Sequence, residues 1–408
     1  MTYEIINCVL YLITLLAYYI RYKTVDVYFI ILSAYSFVAV MCAYYMYIEP
    51  RHYQHTTLIP YIFLYLCVII SIAPLRGVSV KPENLKIAST PLMNMITWVY
   101  VITGYIAIFI GLPYTIELIQ SGEWGMLRSE AYEGEAVLTQ NVYQYLAGNI
   151  HSYLNPIGIV LCFAQLRNPK RSKFLTFSLF FTWLFNDFMA AASIASRSMV
   201  ASLVFKIIVI FVLFKDCIGK EVKRLAVVMV ALAMGLIALY MVSVSISRFG
   251  EESAGDSVIY YMGHSMLAFN DRIMGSMHDF AHGQHFFKSL IGFVGGNTVI
   301  DYKALGAGAV IDGDFYTYVG AFYIDWGVFT IIVVSILSAF LGHFTKKKRK
   351  TLKDFIFIIF LATYYLDGVF VVGSGTAWQF IMTGVVYLLV KIAENEHAPK
   401  HSMVIKKN

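Results

Sequence analysis

The chain has 408 residues, 59% of them hydrophobic and only 14% charged, with a mean hydropathy of +0.68 and a net charge of +6. Soluble domains carry roughly 25% charged residues because their surface must be wetted. The composition therefore argues against a soluble enzyme, and the basic excess, confined to short connections, argues against nucleic acid as a partner; a single all-α polytopic membrane bundle over residues 1–408 remains.

Taken in chain order, apolar segments predict about eleven transmembrane helices, near 4–20, 27–47, 57–75, 92–113, 143–165, 173–191, 199–214, 224–246, 315–342, 354–372 and 376–392. The first, within MTYEIINCVLYLITLLAYYI, has no basic leader and no small-residue cleavage site, so it is expected as a retained helix. The connections RYK (21–23), RNPKRSK (167–173), KEVKR (220–224) and KKKRK (346–350) fall on one side of the resulting topology. Counted over these spans, 23 of the 31 Lys and Arg lie on that side, against 3 on the opposite side once the four in the long loop 247–314 are left out. The positive-inside rule then puts the amino terminus outside and the carboxyl terminus in the cytoplasm. Cys8, Cys42, Cys67 and Cys162 fall in spans and Cys217 in a cytoplasmic connection, so no external disulfide framework is expected.

Two external segments exceed what a connector needs. Residues 114–142 carry Glu117, Glu123, Glu130, Glu133 and Glu135 against Arg128. Residues 247–314 form the large external loop, too rich in aromatics and Met for disorder. Within it Ile259, Met262, Met266, Phe269, Ile273, Met277 and Phe280 recur at three- and four-residue steps, predicting an amphipathic helix. A second stripe on the same period holds His264, Ala268, Asp271, Gly275, His278, His282 and His285. Imidazoles and a carboxylate alternating with small side chains could face a reactive cleft at the outer membrane surface. An interfacial helix with a solvated polar face gives the same pattern.

Charge inside apolar spans costs at least a few kcal/mol, roughly, unless it meets a partner or a wet cavity. Asp187, Lys206, Asp325 and Asp367 all fall within spans, toward their outer ends. They predict either an outward-opening polar cavity or an internal ion pair tying helices together. Arg197 follows the short ASIAS connection, Arg248 ends a span, and Arg272 lies on the predicted loop helix. A guanidinium binds phosphate oxygens bidentately and keeps its charge at any relevant pH. The three therefore suit a lipid diphosphate, although headgroup anchoring uses the same chemistry. His278-Asp279-Phe280-Ala281-His282 imitates a zinc HExxH with the shorter Asp in place of Glu, and no metal is expected there. Asp312-Gly313-Asp314 reads as a loop turn. There is no Walker P-loop, Rossmann fingerprint or GxSxG, and no cofactor is implied.

The layout resembles the Wzy-type oligosaccharide repeat-unit polymerases, the O-antigen and capsule polymerase family, across most of the chain. ASIASRSMVASLVF (192–205) is similar to that family's Ser-Arg turn entering a span. DFYTYVGAFYIDWGVFTIIVVSILSAFLG (314–342) is similar to its aromatic, Asp-Gly-bearing span after the large loop. O-antigen ligases share this layout, and a polysaccharide flippase or transporter is the alternative from another class. The resemblance implies a metal-independent glycosyltransferase of lipopolysaccharide or similar surface polysaccharide biosynthesis in a bacterial inner membrane. The growing glycan on undecaprenyl diphosphate would be transferred to a new lipid-linked repeat unit. Partners would be these lipid-linked oligosaccharides, membrane lipids and, as a candidate, a chain-length regulator. Arg197 and Asp325 match the two family stretches by position. On physical grounds Arg197, Arg248 and Arg272 would bind diphosphate. His282 or His278 would take the proton of the attacking hydroxyl with Asp271 orienting it. Asp187, Lys206, Asp325 and Asp367 would line the cavity.

Overall fold

A computed structural model of the chain describes residues 1–49, 53, 55–121, 142–167, 172–192, 197–220, 224, 235, 246, 254–296, 299–306, 316–370 and 375–395. Among the described residues there are thirteen α-helices and no strand. In chain order these are α1 (Thr2–Tyr22), α2 (Val27–Ile48), α3 (Leu58–Ile72), α4 (Pro91–Ser121), α5 (Val142–Arg167), α6 (Lys173–Ala192) and α7 (Arg197–Leu213). They continue as α8 (Ala254–Ala268), α9 (Gln284–Phe293), α10 (Tyr318–Trp326), α11 (Thr330–Thr345), α12 (Leu352–Asp367) and α13 (Ala377–Asn395). Among the described residues, six helical stretches are long and apolar enough to cross a membrane: Thr2–Tyr22, Val27–Ile48, Leu58–Leu75, Pro91–Pro113, Tyr318–Thr345 and Ala377–Asn395. Ser202–Leu213 is a shorter apolar helix. The expected spans 143–165 and 173–191 are helical, as is 354–367 of the span expected at 354–372, while 224–246 lies outside the described residues apart from isolated positions.

The exterior of these helices is greasy. Ile13, Leu16, Ile20, Ile59, Phe109, Phe174, Phe177, Phe329, Ile336 and Leu388 are all exposed, far more apolar surface than a water-soluble monomer presents. With lipid outside, apolar burial cannot drive helix association, so close backbone approach and polar contacts must do so. Both occur here. A Cβ at Gly263 of α8 would stand 2.7 Å from the Met41 carbonyl and the Cys42 nitrogen of α2, so only hydrogen at that position allows the two backbones this near. Gly158 of α5 likewise seats the Tyr100 ring of α4, and Gly104 of α4 seats His151 of α5.

One end of the bundle is basic and held by caps. Asp26 caps α2 by accepting from Phe29 N–H at 2.9 Å, and accepts as well from Tyr18 Oη at 2.5 Å and Gly77 N–H at 2.6 Å. One carboxylate thus joins the ends of α1, α2 and α3. On α12, Thr351 and Asp354 form a capping box, with Lys347 on Asp354 at 2.6 Å and Lys353 on Glu394 of α13 at 2.6 Å.

The span expected at 315–342 appears as the stretch Tyr318–Thr345, in which a 3-10 turn at Gly327–Phe329, with Gly327 at φ +54, links α10 to α11. One expectation about a continuous helix fails: the stripe expected from His264 to His285 does not lie on one helix. α8 passes into a π turn at Phe269–Met274 and stops at Gly275, residues 277–281 are not helical, and α9 begins at Gln284 after His282 (φ +49) and Gly283 (φ +90). α8 is not a surface helix either. It packs along α2, and Met266, Leu267, Ala268 and Phe269 are wholly buried. His264 is buried between Tyr53, whose Oη bonds its Nδ1, and Tyr260. Neither a reactive stripe over a cleft nor a solvated interfacial face describes it.

Candidate functional site

Three of the four charges expected in spans come together. Lys206 of α7 lies 2.9 Å from Asp367, the last residue of α12, and Ser202 Oγ donates to the other oxygen of Asp367. Asp187 of α6 sits close enough to Lys206 for the ammonium to interact with both carboxylates. These side chains line a cavity of about 610 Å³ enclosed by α5, α6, α7, α9, α12 and α13. Its volume is that of a small-molecule site. The cavity lies toward the ends of α6, α7 and α12 that are remote from the basic caps.

The local sequence explains the convergence. Trp183 precedes Asp187 by four residues, Ser202 precedes Lys206 by four, and Thr363 precedes Asp367 by four; all six line the cavity. Residues four apart share a helix face, so each helix presents a charge and a polar or aromatic neighbour to the same space. α5 contributes Asn149, Ser152, Asn155 and Pro156 on one face. Tyr100 Oη donates to Asn155 Oδ1 at 3.0 Å, which leaves the Asn155 amide N–H groups to donate. The Asn155 and Trp183 side chains both hydrogen-bond to Asp187. Asp187 Oδ2 has no hydrogen-bond partner.

Asp325 does not join this group. Its carboxylate accepts from His285 N–H at 2.9 Å and Phe286 N–H at 2.7 Å, and its carbonyl accepts from His282 N–H at 3.1 Å. It therefore satisfies the free first-turn N–H groups of α9, a helix whose own N-cap is a glycine and offers no side chain. The cavity-lining role expected of Asp325 is corrected to a structural cap from a neighbouring helix.

The histidines expected to act together are separated by the break before α9. His282 is 75% exposed and faces Asp279 at 3.8 Å, and His278 packs against Gly306. His285 is buried, with Nδ1 bonded to Tyr302 Oη at 2.9 Å. Burial, with Lys288 nearby, holds the His285 imidazole down to about 4, and burial pushes Tyr302 up to about 12. Asp271 accepts from His55 N–H at 2.9 Å, and the Arg272 guanidinium lies 5.0 Å above the Tyr53 ring. Asp271 and Arg272, in the π turn, thus clamp the segment before α3. None of these residues lines the cavity. Arg197 starts α7, with its side chain outside what is described; Arg248 lies outside the described residues, as do most of 114–142 and all of 312–314. Among the described residues no three His, Cys, Asp or Glu side chains gather as metal ligands.

Ser202, Asn155, Trp183 and Ser289 escaped the sequence reading. The four-residue spacing to a charge would have found Ser202 and Trp183. Ser289 carries no such signal, since α9 reaches the cavity through its tertiary seat on α10 and α13. A second, shallower groove of about 710 Å³ lies at the basic end between α3 and α11, lined by small residues with His343, Lys346 and Lys347. No known protein family matches the sequence, and neither a curated protein nor a solved structure is significantly similar to it.

Proposed function

We propose that the chain polymerises lipid-linked oligosaccharide repeat units of a surface polysaccharide. It would sit in a bacterial inner membrane with its amino terminus outside and its carboxyl terminus in the cytoplasm. The observation that carries this reading is the position of the charged cavity, at the end of the bundle remote from the basic connections. Under the positive-inside rule that end is the outer one, where a glycan carried on undecaprenyl diphosphate is held at the membrane surface. The lining also suits sugars: amides, hydroxyls and carboxylates for their hydroxyl groups, with Tyr153, Trp183 and Trp378 for their apolar faces.

In the proposed reaction a hydroxyl of the incoming repeat unit displaces undecaprenyl diphosphate from the anomeric carbon of the growing chain. The leaving group develops negative charge, and fixed guanidinium groups stabilise it. Arg197 is the foremost candidate because it opens α7, about 13 Å along the helix axis from Lys206. Arg248 and Arg272 remain candidates for holding the second lipid carrier. A transporter is the second reading, favoured by the Lys206–Asp367 pair within the bundle.

The test is a gel ladder of surface polysaccharide from a strain lacking the protein, complemented with wild type or with Arg197→Ala. The proposal expects deletion to leave acceptor bearing a single repeat, and Arg197→Ala to fail to restore the ladder at normal protein level. Long polymer stranded on the lipid carrier would instead mark a ligase, unflipped repeat units a transporter, and an unchanged ladder would end the glycan reading.

A further inference from the structure

We propose that Asp187 is the proton acceptor for the attacking sugar hydroxyl and that the cavity beneath it is the acceptor pocket. The inference rests on the polymerase reading and deepens it. It also moves the base from the histidines of the large loop to a residue of α6.

The cavity holds two carboxylates and one ammonium, and they are unequally engaged. Asp367 receives Lys206 on one oxygen and the Ser202 hydroxyl on the other, so both of its acceptor positions are occupied. That carboxylate is clamped. Asp187 is held differently. The Asn155 and Trp183 side chains orient it, and the Tyr100 hydroxyl in turn fixes the Asn155 amide. Yet Asp187 Oδ2 accepts nothing. A buried acceptor without a partner is costly in a folded protein and calls for an explanation, a ligand hydrogen being one. That oxygen is buried as the side chain stands beside the cavity, and the terminal torsion of an Asp is broad and roughly two-fold, so a rotation about it brings the unpartnered oxygen to a hydroxyl there. The same space is lined by Asn149, Ser152, Ser289 and Gln379, polar groups that would fix a sugar ring, and by Trp378.

The step balances. Asp187 takes the hydroxyl proton as the sugar oxygen forms its bond to the anomeric carbon. The bond from that carbon to the diphosphate oxygen breaks, and its electron pair leaves with undecaprenyl diphosphate, which carries the added negative charge. Asp187 then returns its proton to solvent or to the departing diphosphate. When Asp187 is protonated, Lys206 keeps Asp367 as its counter-charge, so the ammonium is never left unpaired during the step, and Lys206 is a positioning residue.

The experiment uses purified full-length protein in liposomes, with lipid-linked repeat units extracted from a polymerase-deficient strain, and follows initial rate from pH 5 to 9. Asp187→Asn should lower the rate about 100-fold or more, as loss of general base catalysis does, with little change in KM and unaltered thermal unfolding. Asp187→Glu should recover part of the rate while displacing the acid limb of the pH profile. A merely structural aspartate would move neither limb. Asp187→Asn within about three-fold of wild type, or an Asp187→Glu profile superimposable on wild type, overturns the assignment. If wild type itself forms no polymer, the polymerase reading falls first, and the two failures are distinct.

Discussion

A lysine and an aspartate paired among apolar helices cost free energy to bury, and the cost is recovered only while the Lys206–Asp367 pair is complete. Removing one partner of such a pair strands the other. Both members of the Lys206–Asp367 pair are about one third open to the cavity (29% and 34%), which weakens the effect relative to a fully enclosed pair. Lys206→Met should therefore destabilise the protein by about 1–3 kcal/mol. The double variant Lys206→Met with Asp367→Asn should recover much of that loss. Thermal unfolding in detergent of the two singles and the double gives the coupling; additive losses would mean the pair contributes nothing to holding α7 on α12. His285 supplies a pH dependence whose sign is set by its depressed imidazole. In the unfolded chain it titrates near 6.5, so the unfolded state binds more protons between about 6.5 and 4. Its neutral form contributes stability that is complete above pH 6.5 and lost as pH falls toward 4. Amide protection factors across 284–293, taken against the intrinsic rate at each pH, should fall over that window in wild type, and His285→Phe should flatten the response.

At the scale of the element, α9 depends on another helix for its start. With glycine at its N-cap, its first-turn N–H groups turn to Asp325 of α10. Asp325→Ala removes both acceptors and should cost about 1–2 kcal/mol, read as faster amide exchange in α9 while the caps at the basic end keep their protection. Unchanged exchange in α9 would show that the seat on α13 alone suffices. The same helix marks where sequence periodicity misleads. A three- and four-residue rhythm runs through Ile259 to Phe280 and through His264 to His285, and the rhythm alone reads as one helix. The interrupting signals were Gly275 and Gly283, since glycine commonly ends a helix or takes positive φ; Gly327 did the same inside the span at 315–342. By contrast, the gathering of Asp187, Lys206 and Asp367 was legible, because a charge in an apolar span has few places to go. Asp325 obeyed the same rule and chose backbone N–H groups for partners, a choice that only the arrival of α9 beside α10 makes available.

For the whole molecule, the division into a capped basic end and an open charged end matters more than any one helix. Asp26, Thr351, Asp354 and Glu394 lock the connections at the basic end, while the cavity lies near ends joined by the segments 193–196 and 371–374. Rigidity at one end and space at the other is an arrangement that suits chemistry on a substrate delivered from a single face. α9 borders that space through Ser289, entering at Gly283 and held to its neighbours by Asp325, by the Phe286 ring against Trp326 and Phe380, and by a backbone bond from Gly375 N–H to His285 O at 2.8 Å. A space of about 610 Å³ takes a few sugar rings and never a whole polymer. Under the proposed reaction each lengthened chain must therefore slip past that helix before another unit can enter. The number of repeats added per encounter would then be governed by a race between slippage and reloading, so that modal chain length becomes a property of how α9 is seated and not of the bond-forming step.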